Sequence, residues 1–468
     1  MAKKQSKNNK AKQPKFSFSV VLFLVLFFII MIILFAYGEP AAHYFWSFKN
    51  SQDNHPQEEF LFESNPEPIL EGNENETLVS KQVEVLTVLD QTEYDRRTNL
   101  LAGGSGETTT QKVLATSSLR VQFADGSEGV IMTPLYTNVA VESKTIKGWP
   151  VKNDVYPKVG ALLPFNRIIA YYGHINALGM GALGELYNFG DSEEDLLKYL
   201  LAEKSRWEAA DPNTPVIPAL HEIVTSAQGS PQADGSYSAY ISNDKIDKVM
   251  ALAEKINGIV FLDFQVGHAD LLTQLKHYQD YFTLPQVHLG IDPEFSMKDG
   301  SAPGKKVGTF DAADINIAID FLCQIVQEHN LPPKILVVHR FQMGMVTNYQ
   351  NIKLTPEVQI VIHADGHGLY ADNHVRSSVD QKTGIYNSLM TEPVQFAGIK
   401  IFYKNDTNIA KSVSLKDIFE KGTIDLHTGK CLSAETITKS NPAKPCWDLM
   451  TPQDVLNLRP IPIYVQYQ

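Results

Sequence analysis

The sequence predicts an α/β protein built on a (β/α)8 barrel of the TIM type, preceded by a transmembrane helix and a disordered stalk. Three observations carry this prediction. From residue 161 onward, short apolar runs alternate with amphipathic helical stretches, the pattern of repeated β-α units. The runs are near-continuously apolar, as strands covered on both faces of a parallel sheet must be. No GxGxxG opens a helix after the first run, so a doubly wound open sheet is only the second choice. A chain of 468 residues with 43% hydrophobic and 20% charged residues can bury one large core and still carry appendages. Its net charge of -12 excludes a phosphate-backbone binder, which depends on Lys and Arg, so no nucleic-acid partner is expected.

The first element, residues 1–15, is a basic tail carrying Lys3, Lys4, Lys7, Lys10, Lys12 and Lys15 without an acid. Residues 16–38 form the predicted transmembrane signal-anchor, because Phe18 to Tyr37 is an uncharged apolar run and about 20 such residues cross a bilayer. A cleaved signal peptide is the alternative, but its apolar core is usually shorter, roughly 7 to 15 residues. The basic flank places the amino terminus in the cytoplasm and the rest of the chain outside, in a single-pass plasma-membrane topology. Residues 39–110 are acidic, rich in Asn, Gln, Gly, Ser and Thr, and aperiodic, which predicts a flexible linker with at most a nascent helix at Val79 to Val88. Residues 111–160 are a lead-in segment in which polar and apolar residues alternate around Asp125-Gly126, the signature of a hairpin turn.

The barrel is assigned to residues 161–468. Strands are predicted at Arg167 to Gly173, Val216 to Glu222, Gly258 to Gln265, Val287 to Asp292, Lys334 to His339, Val358 to Asp365, Gly398 to Tyr403 and Ile461 to Tyr467. Helices are predicted at Asp191 to Ala210, Asp244 to Ile256, Ala269 to Phe282, Ala312 to His329 and Thr451 to Asn457. In such barrels the reacting groups sit at the carboxyl ends of several strands. Those ends here carry Tyr172 and His174; His221 and Glu222; Asp263, Gln265 and His268; Asp292 and Glu294; His339 and Gln342; His363, Asp365 and His367; Lys404 and Asp406; and Gln466. A single polar residue at a strand end is usually a cap or a solvated position. A whole rim of acids and imidazoles is better explained by a site in which the groups perturb one another.

The centre of the set is Val287-His-Leu-Gly-Ile-Asp-Pro-Glu-Phe295, an apolar strand that opens into two carboxylates. Paired acids in a concave site suit glycosidic hydrolysis, with one protonating the leaving oxygen and another attacking the sugar or activating water. Glu294 is the expected general acid and Asp292 its orienting neighbour; Asp263 and Asp365 are the preferred partner carboxylates. Tyr172, His174, Glu185 on the Gly-rich loop after the first strand, Glu222, Gln265, His339, Gln342 and His367 are the expected substrate contacts.

The Asp-x-Glu of Asp292 and Glu294 resembles the last part of the chitinase-type signature, although Leu289 and Gly290 stand where earlier acids of that signature would be. Residues 161–468 more broadly resemble a group of membrane-anchored or lipoprotein bacterial barrels. The likeness rests on Leu262-Asp-x-Gln265, Asp292-Pro-Glu-Phe295, His339-x-Phe341 and Asp365-Gly366. It implies a cell-envelope location and, as partner, a glycan or another envelope polymer.

No cofactor is expected on this reading. The rival is a metal-dependent hydrolase in which His174, His221, His268, His339 or His363, with Asp263 or Asp365, holds Zn²⁺, although neither an HxH pair on the first strand nor an HExxH occurs. A third reading is a non-catalytic glycan- or peptide-binding barrel using aromatics such as Tyr171, Tyr187 and Tyr403. Of the three cysteines, Cys431 and Cys446 flank a polar loop and can pair outside the cytosol, whereas Cys323 lies in an apolar helical stretch.

Overall fold

The computed structural model describes residues 89–103, 109–122, 128–141, 149, 155–177, 180–189, 193–367, 378–432 and 446–468. All of them belong to the compact unit Val83–Gln468. The predicted basic tail, the anchor at 16–38 and the helix at Val79 to Val88 lie outside the described residues. No helix among the described residues is long and apolar enough to cross a membrane.

Eight parallel strands close into a barrel. In chain order they are β1 (Arg167–Gly173), β2 (Val216–Ala227), β3 (Ile259–Phe264), β4 (Val287–Ile291), β5 (Lys334–Arg340), β6 (Val358–Ala364), β7 (Phe396–Ile401) and β8 (Tyr464–Tyr467). Each pairs in parallel with its sequence neighbour, and β8 pairs with β1 to complete the ring. All residues of β1, β3, β4, β5, β6 and β7 are buried, which is why their sequences read as unbroken apolar runs. β2 runs past the barrel wall through a register shift between Ile223 and Thr225, and its end pairs with the short antiparallel strand Ser238–Tyr240. Such a bulge at a barrel rim bends the strand and re-aims the side chains beside it.

The described helices are α1 (Gln91–Leu101), α2 (Gly181–Phe189), α3 (Glu193–Ala210), α4 (Asn243–Glu254), α5 (Leu271–His277), α6 (Gln279–Phe282), α7 (Ala312–Glu328), α8 (Ser378–Leu389), α9 (Leu415–Glu420) and α10 (Pro452–Leu456). Their starts follow local chemistry. Asp311 with Asp314 and Thr451 with Asp454 form capping boxes on α7 and α10, and Asp270 and Ser414 cap α5 and α9 through their side-chain oxygens.

The apolar residues divide into two clusters. The larger joins the outward faces of the strands, such as Leu220, Leu262 and Val338, to α2, α3, α4 and α7. The smaller lies inside the barrel near the strands' amino-terminal ends and contains Ile168, Ala170, Ala219, Phe261, Ile335, Val337 and Val361.

The structure corrects the expected boundary of the linker. Residues 91–101, assigned to a flexible segment, form α1, and Tyr94 joins the inner cluster together with Leu163. Arg97 Nη1 donates to Phe165 O at 3.1 Å and Ile461 N to Leu101 O at 2.7 Å, which ties α1 to the barrel. The predicted hairpin is present as strands Thr109–Gln122 and Glu128–Val141, paired antiparallel with Gln122 opposite Glu128; its Asp125-Gly126 turn lies outside the described residues. Cys431 and Cys446 are joined by a disulfide with Cα atoms 6.0 Å apart. Cys323 is half-buried on α7, its Sγ 3.3 Å from Thr355 Oγ1.

Candidate functional site

Side chains alternate across a strand, so the rows that begin with the inner apolar cluster continue upward at every second residue. The next inward positions are Tyr172 on β1, His221 on β2, Asp263 on β3, His339 on β5 and His363 on β6. Asp292 follows β4, Asp365 follows β6, Lys400 lies on β7 and Gln466 on β8. The register sets Tyr172 beside His221, His339 beside His363, and Lys400 beside Gln466. The lower half of the barrel is therefore mostly apolar, with His288 on β4 and Gln359 on β6 as its polar members, and the upper half is lined with ionisable groups.

Those groups form one network. Tyr172 OH donates to Asp263 Oδ2 at 3.1 Å. Asp263 Oδ1 lies 3.3 Å from His221 Nε2 and 3.4 Å from His339 Nε2. On its other side, His339 Nδ1 is 3.0 Å from Asp365 Oδ2 and 3.4 Å from His363 Nδ1. His221 Nδ1 is 2.5 Å from Tyr464 OH and 3.1 Å from Gln466 Nε2. The Lys400 ammonium stands 3.7 Å from the centre of the Tyr172 ring, a cation–π contact. Asp292 accepts from Glu294 N at 3.0 Å, which fixes the turn Pro293–Phe295 and lifts Glu294, half-buried, to the rim.

Glycine makes the room. A Cβ at Gly290 would come within 2.3 Å of Asp263 Oδ1 and 2.4 Å of His221 Nε2, and one at Gly398 within 2.9 Å of His363 Cδ2. Both glycines sit inside buried strands, where a missing side chain marks a close approach.

The charges are strongly coupled. Burial pushes the Asp292 carboxyl well above its usual range, and Asp365, Glu294 and Asp263 add to the shift while His339 opposes it. Burial also raises Glu294, and Asp365 adds to this while Lys400 and His339 oppose it. Asp263 goes the other way. Burial alone would raise it, but His339 and His221 together pull it well below the ordinary range. His339 is held up at about 10 by Asp263 and Asp365 against its own burial, whereas burial brings His221 down to about 4. Burial lowers Lys400, and Asp365, Asp292, Asp263 and Glu294 partly restore it. Neighbouring carboxyls pushed in opposite directions are what acid/base chemistry near neutral pH requires.

The structure brings together Glu294, Asp292, Asp263, Asp365, Tyr172 and His339 from the expected set. Asp263 and His339 are fully buried, whereas Glu294 is half-buried. His367 also reaches the rim, its ring 5.9 Å from that of Phe402, which in turn stands 5.4 Å from Lys400 Nζ.

Other expected contacts are taken up elsewhere. Glu222 points away from the interior, accepts from Ile175 N at 3.0 and 3.1 Å and so pins the loop after β1; burial raises its carboxyl well above the usual range. His174 belongs to that loop, with Nδ1 accepting from Asn176 N at 3.1 Å. Glu185 is held on α2 by Lys404 Nζ at 2.5 and 2.7 Å and by Leu415 N at 2.7 Å. Gln265 accepts from Ala227 N at 3.0 Å and ties β3 to the end of β2. Gln342 is exposed ahead of the turn Met343–Met345. Lys400 is the member that strand-end reading misses. Its signal is a lysine two residues beyond a glycine inside the apolar run Phe396-Ala-Gly-Ile-Lys-Ile401.

No protein-family model matches the chain, and a search of curated proteins finds no similar sequence.

Proposed function

We propose that this chain is a membrane-anchored, extracytoplasmic hydrolase that cleaves glycosidic bonds of an envelope or extracellular glycan at the carboxyl-terminal mouth of its barrel. The observation that carries the reading is the meeting of Glu294, Asp292 and Asp365 with Lys400 and His339, in surroundings that hold Glu294 and Asp292 protonated to higher pH than free carboxyls. Glu294 is the general acid, because it is the half-buried member of the set at the rim and its raised pKa keeps a proton available. Asp365 is the partner carboxylate, oriented by His339 Nδ1. Asp292 holds the Glu294 turn in place through the Glu294 backbone N–H. Lys400, seated on the ring face of Tyr172, supplies a cation to the mouth. The basic tail and the uncharged run from Phe18 to Tyr37 support the anchor and its orientation.

The test is hydrolysis of cell-envelope glycan fractions by the purified full chain and by Glu294→Gln. Turnover that disappears in the variant while glycan binding persists supports the proposal. Glycan binding without turnover by the wild type replaces it with a binding module, and turnover that survives Glu294→Gln removes Glu294 from its role.

A further inference from the structure

We propose that His221 Nε2, His339 Nε2 and Asp263 Oδ1 form a divalent-cation site at the heart of the barrel, below the glycosidic mouth, of the tetrahedral type that zinc prefers. All three atoms are fully buried, lie within 4.8 Å of one another and make no hydrogen bond. Among the described residues their only partners are one another, at the long ion-pair distances of 3.3 and 3.4 Å, which satisfies buried imidazole and carboxylate atoms poorly. Their spacing says what would satisfy them. The contacts of 3.3 and 3.4 Å from Asp263 Oδ1 are long for charge-assisted hydrogen bonds, which run about 2.7–2.9 Å. They match the edge of a tetrahedron: ligands about 2.0–2.1 Å from a zinc ion stand roughly 3.3–3.4 Å apart.

The surroundings orient each ligand. Asp365 Oδ2, 3.0 Å away, accepts from His339 Nδ1–H and keeps Nε2 facing inward, so that a cation displacing the Nε2 proton completes the carboxylate–histidine–metal arrangement. Tyr172 OH holds the second oxygen of Asp263 at 3.1 Å and turns Oδ1 toward the histidines. Behind His221, Gln466 Oε1 is buried without a hydrogen bond. Half a turn of that carboxamide presents Oε1 to Nδ1–H and frees Nε2 as a ligand. The second acidic and imidazole group, His339, His363 and Asp365, shares His339 but spends its Nδ1 on the bond to Asp365.

This inference does not rest on the hydrolase reading, because metal uptake is read without any substrate. The full chain in detergent, stripped with a chelator and titrated with Zn²⁺, is expected to bind one ion per chain, and with Co²⁺ to give the intense visible absorption of a four-coordinate ion. Its zinc X-ray absorption shell should contain imidazole and carboxylate ligands and no sulfur. His221→Gln and Asp263→Asn should abolish stoichiometric uptake, Asp365→Asn should weaken it about 10–100-fold through the outer shell, and His363→Gln and Glu294→Gln should leave it intact. A wild type that takes up no ion overturns the assignment even if the variants fail to fold. So does uptake that survives His221→Gln, or that falls with His363→Gln alone. Uptake with no glycan hydrolysis leaves the metal site standing and defeats only the proposed function.

Discussion

At the scale of single residues, the site depends on charges that hold one another in place, and this makes its pH response predictable in sign. With Glu294 as the proposed general acid, turnover should be lost as pH rises through its raised pKa. Lys400 opposes that raise, and removing its charge destabilises the carboxylate form further. In Lys400→Met the alkaline limb of kcat/KM against pH should therefore move to higher pH; a limb that stays put or moves down refutes the coupling. Gly290→Ala should cost about 1–3 kcal/mol by overpacking against Asp263 and His221. Combined with His221→Ala it should cost less than the two changes added together, as residues sharing one space do; chemical denaturation of the four proteins checks this. Asp292, Glu294, Asp365 and His339 were legible in the sequence because they stand at or just beyond strand ends, where an acid or imidazole is conspicuous. Lys400 was not, since inside a strand one residue of register decides between the interior and the helix side. Glu222 was misassigned for the same reason, being next to the inward His221, whereas Gln265 shares the parity of Asp263 but lies just past the end of β3, where it is taken up by Ala227 N.

At the scale of elements, the strands could be read closely because burial on both faces leaves little choice of residue. The strands at Arg167–Gly173 and Lys334–Arg340 fall where apolar runs predict them. α1 and α8 escaped because each is largely polar. Gln91–Leu101 buries Tyr94 as its one core residue, and Ser378–Leu389 is held by Tyr386 OH donating to Pro460 O at 2.5 Å and Lys382 Nζ donating to Gly366 O at 2.5 Å. Neither helix carries a broad apolar stripe, so periodicity has little to detect. The importance of α1 is nevertheless testable. Tyr94 packs edge-on to Tyr156 with ring centres 5.7 Å apart and belongs to the inner cluster. Tyr94→Ala should cost about 3 kcal/mol of stability, seen as a lower urea midpoint with an unchanged slope. A loss within about 0.5 kcal/mol would mean that α1 is an ornament.

At the scale of the whole molecule, the proposed reading assigns location to the amino-terminal sequence and chemistry to the barrel, and the two can be tested separately. If the run at 16–38 anchors the chain, the expressed protein should sediment with membranes, resist high salt and carbonate, and dissolve only in detergent, with the barrel open to protease added from outside. Release by salt alone would remove the anchor from the proposal.

The closed ring carries a last implication, for the order in which the molecule is completed. His221 meets Tyr464 across 243 residues of chain, and β8 bonds to both β7 and β1. Contacts so distant are entropically slow to form and come late in folding. A nascent polypeptide therefore carries its cluster of acids and imidazoles long before it has the final stave that shields them, and carboxyl-terminal trimming that removes β8 should open the ring and scatter that cluster at once.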